Sequence, residues 1–340
     1  MNRTATAPLI ANLPRRWLQA ALLLLISSLL PGAVYAAAPA AKPLDNKTVQ
    51  LPGTGSIAVL YPDISEPYRS VFTQIIAGIQ ERTHGRVNEF AVQANADATE
   101  LNANLRRKDT KVIIALGRQA ARLTTALDNS FRVVVGGVLT TQESRPRNLQ
   151  VNVLCPDPAL LFLRIKELMP KVRRIYTVYD PRVNSWLVRL AREAARAQNI
   201  ELIAIEALDL RGAMTAYSKI MTESDNSRDA LWLPQDPTTV EEGTVLPMVL
   251  QESWNRNLAV FSSNPGHVRQ GVLFSLYPDN VELGRHLAES ALAFLGNDSN
   301  DTDSLLPLRE VLVSVNLRTA KHLGLNIGRA QHFDMVYPER

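Results

Sequence analysis

Short, uninterrupted apolar runs alternate with longer stretches of helical periodicity from residue 56 almost to the end of this 340-residue chain. The runs are Ser56–Tyr61, Val87–Val92, Lys111–Leu116 and Phe131–Val135, then Arg174–Tyr179, Ile200–Ile205, Asp229–Leu233 and Leu258–Phe261. Helical patterns lie between them at Glu66–Thr83, with Val71, Ile75, Ile76 and Ile79 on the apolar face, and at Ala98–Lys108 and Arg118–Leu127. Four more follow at Pro158–Leu168, Val183–Gln198, Arg211–Glu223 and Thr239–Asn255. Strands that are apolar throughout are buried on both faces, and strands separated by helices pair in parallel. The fold class is therefore α/β. The rhythm restarts after a crossing segment at Leu149–Leu154, so two Rossmann-like halves follow one another, as separate domains or as a bilobed clamp.

Ahead of that pattern, Arg3, Arg15 and Arg16 precede an apolar run from Trp17 to Leu30 and a small-residue block from Ala33 to Ala38. This is the anatomy of a secretory signal peptide over residues 1–38, cut after Ala36 or Ala38. The run is shorter than the ~20 residues of a membrane span, and no cysteine follows it to carry a lipid. A periplasmic protein, not a lipoprotein, is expected, with residues 39–55 as a flexible leader. Removing the three signal arginines turns 37 Lys+Arg against 33 Asp+Glu into 34 against 33. The basic pI is thus partly a targeting feature, and no basic block points to nucleic acid. Cys155 stands alone, which excludes an internal disulfide. The core must hold by burial, which two lobes of this combined size can supply.

The last third is the most specific. Gly271–Tyr277 is a strand; Pro278-Asp279-Asn280 supplies helix-start chemistry; Val281, Leu283, Leu287, Ala288, Ala291, Leu292 and Leu295 form a helical face. Asn297–Ser304 is a solvated loop, Arg309–Val315 another strand, and Asn316 caps a helix carrying Leu317, Ala320 and Leu323. With Gly271, Ser275, Tyr277, Leu283-Gly284-Arg285 and the run Asn316-Leu317-Arg318-Thr319-Ala320-Lys321-His322-Leu323-Gly324-Leu325, this region resembles the ABC-transporter substrate-binding proteins related to tryptophan- and tyrosine-type binding proteins. The resemblance runs from about Ser56 to about Ile327. It implies two hinge-linked lobes with parallel sheets, in type I periplasmic binding protein architecture, between which the chain crosses three times. Lobe 1 would take residues 56–150 plus about 278–305, and lobe 2 residues 151–277 plus about 306–330.

In open parallel sheets ligands settle beyond the carboxyl ends of the strands, where loops and helix N-termini converge. The loops there offer Tyr61, Asp63 and Ser65; Arg118 and Gln119; Gly137 and Thr140; Tyr179 and Asp180; Gln235 and Asp236; Ser263; and Tyr277. That mixture of rings, carboxylates, amides, hydroxyls and one guanidinium suits a small polar or zwitterionic, amino-acid-like solute. Against the family pattern, Tyr179-Asp180-Pro181, Pro234-Gln235-Asp236, Ser275 and Tyr277 match. Gly117-Arg118-Gln119, Val151–Cys155 and Leu139-Thr140-Thr141 depart from it, which implies an altered first-lobe pocket.

The remaining chemistry-bearing residues give no enzyme. Cys155 has no histidine placed beside it by the sequence and is read as a buried structural thiol. His84, His267, His286, His322 and His332 lack ligand spacing, so no metal and no cofactor are expected. Pro52-Gly53-Thr54-Gly55 precedes the first strand, the wrong side for a phosphate loop. The arginines of Trp186–Arg196 are read as a solvated face, with docking on a permease or sensor as the sharper alternative. Trp232 and Trp254 are read as core anchors. The expected function is solute capture for the membrane permease of an ABC importer, with a sensory or accessory module signalling to a membrane partner as the alternative.

Overall fold

A computed structural model of the chain describes residues 56–93, 96–139, 149–296, 304–327 and 332–338. The expected signal peptide, the leader and Thr140 lie outside the described residues. In chain order the first half runs β1 (Ser56–Pro62), α1 (Tyr68–Thr83), β2 (Val87–Val92), α2 (Ala98–Arg107), β3 (Thr110–Leu116), α3 (Gly117–Thr124), β4 (Arg132–Val138) and β5 (Leu149–Pro156). Next come α4 (Pro158–Leu168), β6 (Arg174–Tyr179), α5 (Pro181–Ala197), β7 (Glu201–Glu206), α6 (Leu210–Glu223) and β8 (Asp229–Leu233). Then follow α7 (Val245–Arg256), β9 (Ala259–Ser262), α8 (Gly266–Gln270), β10 (Phe274–Pro278) and α9 (Asn280–Leu295). The chain closes with β11 (Ser304–Leu308), β12 (Val311–Asn316), α10 (Leu317–His322) and β13 (Met335–Tyr337).

Two sheets result. One has the order β11-β5-β4-β3-β1-β2 and is parallel throughout. The other has the order β13-β12-β10-β9-β8-β6-β7 and is parallel except for the β10–β12 pair. The crossing segment expected at Leu149–Leu154 is instead part of β5. Val151 and Val153 are buried there, and the strand is bonded to β4 on one side and β11 on the other. The first sheet thus extends to Pro156. The helix expected from Thr239 begins only at Val245, because carboxylates take the intervening N–H groups. Asp236 accepts from the Thr238 and Thr239 nitrogens, and Glu241 from those of Gly243 and Thr244.

Several strand-to-helix exits are fixed by Asx caps. Asp157, Asp180, Asp279 and Asn316 each accept from a backbone N–H in the first turn of α4, α5, α9 and α10. After β10 the chain leaves the second sheet, and α9 packs on α1 and on β3 and β4. This contact explains the Leu283-Gly284-Arg285 signature. A Cβ on Gly284 would sit 2.0 Å from the Ile75 carbonyl oxygen, and one on Gly78 2.0 Å from that of Val281. Only glycine at both positions lets the helices touch backbone to backbone. Arg285 then pairs with Glu81 at 2.7 Å.

The three connections between the sheets lie side by side. The Asp157 N–H donates to the Leu308 carbonyl at 2.8 Å, and the Asp279 N–H to that of Glu310 at 3.0 Å. Arg309 meets the Asp157 carboxylate at 2.7 Å. One apolar cluster also runs from the first sheet, through Val151 and Cys155, to Phe162, Trp232, Phe261 and Phe274. Phe162 stands edge-on to Trp232 at 5.6 Å and to Phe261 at 6.3 Å. The arginines Arg189, Arg192 and Arg196 of α5 lie on its exposed side, opposite Leu187, Ala191 and Ala194.

Candidate ligand-binding cleft

At the carboxyl ends of the second sheet a polar lattice joins the loops after β6 and β8. Buried Asp236 is its centre. One carboxylate oxygen accepts from the Asp180 N–H at 2.7 Å and from the Asn184 amide at 2.9 Å; the other accepts from the Thr238 and Thr239 N–H groups, both at 3.0 Å. Asp180 is equally committed, to the Arg182 backbone and guanidinium and to the Thr238 hydroxyl. The Arg182 guanidinium holds the Asp180 carboxyl down to about 2, against its burial. Both carboxylates therefore build the loops, and their acceptor sites are filled from within.

The loop after β9 closes on the hinge side. Trp232 Nε1 donates to the Ser263 hydroxyl at 3.0 Å, and the Cys155 thiol shares hydrogen bonds with that hydroxyl and with the Gln235 backbone. Burial outweighs both and pushes the thiol up to about 12, so it stays protonated and inert near neutral pH. Cys155 ties the end of β5 to the loops of the opposite sheet.

Between these loops and the end of β4 lies a cavity of about 390 Å3, lined by Leu139, Pro234, Gln235, Asp236, Glu242, Asn264 and His267 among others. His267 is buried, with Nδ1 at 2.9 Å from the Ser262 hydroxyl and Nε2 at 3.1 Å from the Asn264 amide nitrogen. Since the amide nitrogen donates, Nε2 accepts, and the proton sits on Nδ1, pointing at Ser262. Burial lowers the imidazole's pKa, opposed by Glu242 at 3.7 Å. The imidazole is thus neutral, and Asp236, Glu241 and Glu242 are the acidic residues that line this cavity. The Gln235 side-chain amide has no hydrogen-bond partner among the described residues.

The first sheet's face is built differently. Gly117 and Gly137, at the ends of β3 and β4, both have positive φ (77° and 72°) and both lie under the Phe72 ring. A Cβ on Gly117 would stand 3.1 Å from that ring, and one on Gly137 would stand 3.6 Å from it and 3.3 Å from the Gly117 nitrogen. Arg118 is exposed at the first turn of α3, while Gln119 is drawn away to donate to the Val92 carbonyl at 2.8 Å.

Of the residues singled out from sequence, Gln235 and Asp236 line the cavity. Asp180 and Ser263 lie behind it in the lattice. Tyr179 is buried with its hydroxyl donating to Glu206 at 2.9 Å. Tyr61 packs against the first core, while Asp63 and Ser65 are exposed beyond β1. Tyr277 is half-buried; burial raises its pKa, and Asp334, Tyr337 and Asp279 raise it further. Sequence reading missed Phe72, Glu242 and the lining role of His267. A Pro-rich, acidic stretch after a strand, Pro234–Glu242, was the available signal. Among the described residues no group of three or more His, Cys, Asp or Glu could hold a metal, and no helix is long and apolar enough to cross a membrane.

Two parallel-dominated sheets, three adjacent connections and a cavity at facing strand ends define a two-lobed clamp of the type I periplasmic binding class. A ligand-free, open structure of a substrate binding protein with adhesive properties from Clostridium difficile shares this fold. Its TM-score is 0.56 at 16% identity, over 83% of this chain and 99% of that one. A conserved domain protein from Vibrio cholerae aligns at 16% identity with a TM-score of 0.48, and an ABC domain in complex with L-Trp from Streptococcus pneumonia at 16% with 0.47. Each alignment covers 83% of this chain and 100% of the other. Among curated proteins none matches. The ABC transporter substrate binding protein family matches residues 73–330, and the chain belongs to that family. It is a family of substrate-binding proteins rather than of enzymes.

Proposed function

We propose that this chain captures a small polar or zwitterionic, amino-acid-like solute between its lobes and presents it to the membrane permease of an ABC importer. The observation that carries this reading is the cavity of about 390 Å3 joining Leu139 to the loops after β8 and β9, a volume within the range of small-ligand sites. Glu242 and the Gln235 and Asn264 side chains suit an ammonium group. Exposed Arg118, on the opposite face, suits a carboxylate when the lobes close. Leu139, Pro234, Pro237 and Val240 suit an apolar part. Lobe 1 comprises residues 56–156 with about 279–308, and lobe 2 the intervening segment with the chain from about 309. Export by a cleaved signal at residues 1–38 delivers the protein to the periplasm; chemistry is left to the permease and its ATPase.

A sensory or accessory module of the same fold is the second reading. It is favoured by the Phe72 ring, which occupies the space over Gly117 and Gly137 where a ligand would meet the first lobe. A thermal-shift screen of the mature chain from Pro39 separates the two. A solute bound only by the folded form at a hundred times its Kd adds roughly 2.7 kcal/mol. Free amino acids are expected to raise the melting temperature, and Glu242→Gln to abolish the shift. A flat screen on protein folded by circular dichroism supports the sensory reading instead.

A further inference from the structure

A second cavity lies at the opposite strand ends of the second sheet from the cleft. It occupies about 680 Å3 at the amino ends of β9 and β10, between the end of α7, α8 and the β12–β13 edge. Its lining includes Trp254, Arg269, Arg318 and Tyr337 and, among the described residues, contains no aspartate or glutamate. The Arg269 guanidinium stands 5.9 Å from the Tyr337 ring centre, and that of Arg318 5.5 Å from the Trp254 ring centre. Among the described residues neither guanidinium has a carboxylate partner. Other surface arginines do, as in Arg82–Glu289, Arg228–Asp225, Arg256–Glu252 and Arg285–Glu81.

The walls are held in place. Trp254, expected as a core anchor, is 37% exposed. Its ring is stacked on His322 at 3.6 Å and 6°, and His322 Nε2 bonds the Trp254 carbonyl at 2.9 Å. Thr319 donates to the Gly271 carbonyl at 2.7 Å, and Asn316 to that of Val268 at 2.8 Å. A Cβ on Gly271 would meet nothing within 4 Å, so the space above it is open. Paired planar guanidiniums bind carboxylate or phosphate oxygens two at a time, and the rings beneath them offer stacking surface.

We propose that this cavity is a second ligand site, separate from the cleft, for a small anion carrying a planar ring, either a carboxylate or a phosphate ester. The proposal does not depend on the reading of the cleft. Its test uses benzoate and phenyl phosphate as probes and benzamide as the uncharged isostere, followed by calorimetry and by tryptophan fluorescence of the mature chain. One or both anions should bind saturably at one equivalent and perturb the fluorescence, while benzamide stays silent. Benzoate alone assigns the carboxylate and phenyl phosphate alone the phosphate ester. Arg269→Gln/Arg318→Gln should weaken binding at least tenfold; both residues are exposed, so its melting temperature should match the wild type. Three results would overturn the proposal: no saturable binding of either anion, binding undiminished in the double variant, or benzamide binding as well as benzoate.

Discussion

The two faces of the cleft are held by different forces. On the second sheet, the loops after β6 and β8 are locked by carboxylates whose every acceptor site is filled from within, with Asp236 bonded to Asp180, Asn184, Thr238 and Thr239. On the first, two positive-φ glycines and an overlying phenyl ring make a smooth floor, with one exposed guanidinium at its rim. A polar lattice fixes the positions of its loops and presents few groups, here Gln235, Glu242 and Asn264, in set places. An apolar floor fixes shape and leaves chemistry open. On the proposed reading of the cleft, the second face is the rigid reader, and the first is the wall that sets ligand size.

That contrast breaks first at Asp236. Asp236→Ala orphans four buried or half-buried donors, and about 4 kcal/mol of stability is expected to go, read from the urea midpoint. Next in size is Gly284→Ala, which pushes a methyl onto the Ile75 carbonyl and forces α9 off α1. A loss of about 3 kcal/mol is expected, by overpacking and with no effect on the polar lattice. A smaller cost, about 2 kcal/mol, is expected for Phe72→Ala, since the ring is only half-buried. That variant should accept bulkier solutes in competition assays, and an unchanged size limit would remove Phe72 from the floor.

The smallest effect is one of pH. The Asp180 carboxyl lies at about 2 in the fold and about 3.9 when unfolded. The unfolded chain thus binds the proton first as pH falls. The stability due to this pair is complete above about pH 4 and lost as the pH falls towards 2. Asp180→Asn should flatten that part of the stability profile, compared by urea midpoints at pH 5 and pH 2.5; parallel profiles would mean the Arg182 contact contributes nothing.

Much of the fold was legible because βα units announce themselves locally: apolar runs gave the strands, and the expected caps at Asp279 and Asn316 are present. In sequence β5 reads as a crossing because its neighbour β11 comes about 150 residues later, and pairing at that distance leaves no local mark. β13 is only three residues long, too short an apolar run to mark a strand in the sequence. On α1 the helical stripe put Val71 inside, yet Val71 is exposed and Phe72 turns in over the glycines. At the cleft, sequence located the loops but not the direction of their side chains. Asp180 and Asp236 look like ligand carboxylates in any strand-end list. Only the folded geometry reveals that backbone N–H groups of the same loops consume them.

The most direct test of a cleft that closes on an amino-acid-like solute is amide hydrogen exchange on the mature chain, with and without an equimolar mixture of the twenty amino acids. Protection is expected on both faces at once, at residues 117–119 and at 235–242 with 264–267. Unchanged exchange at both faces, or protection confined to the distal cavity around Trp254 and Arg318, would contradict it.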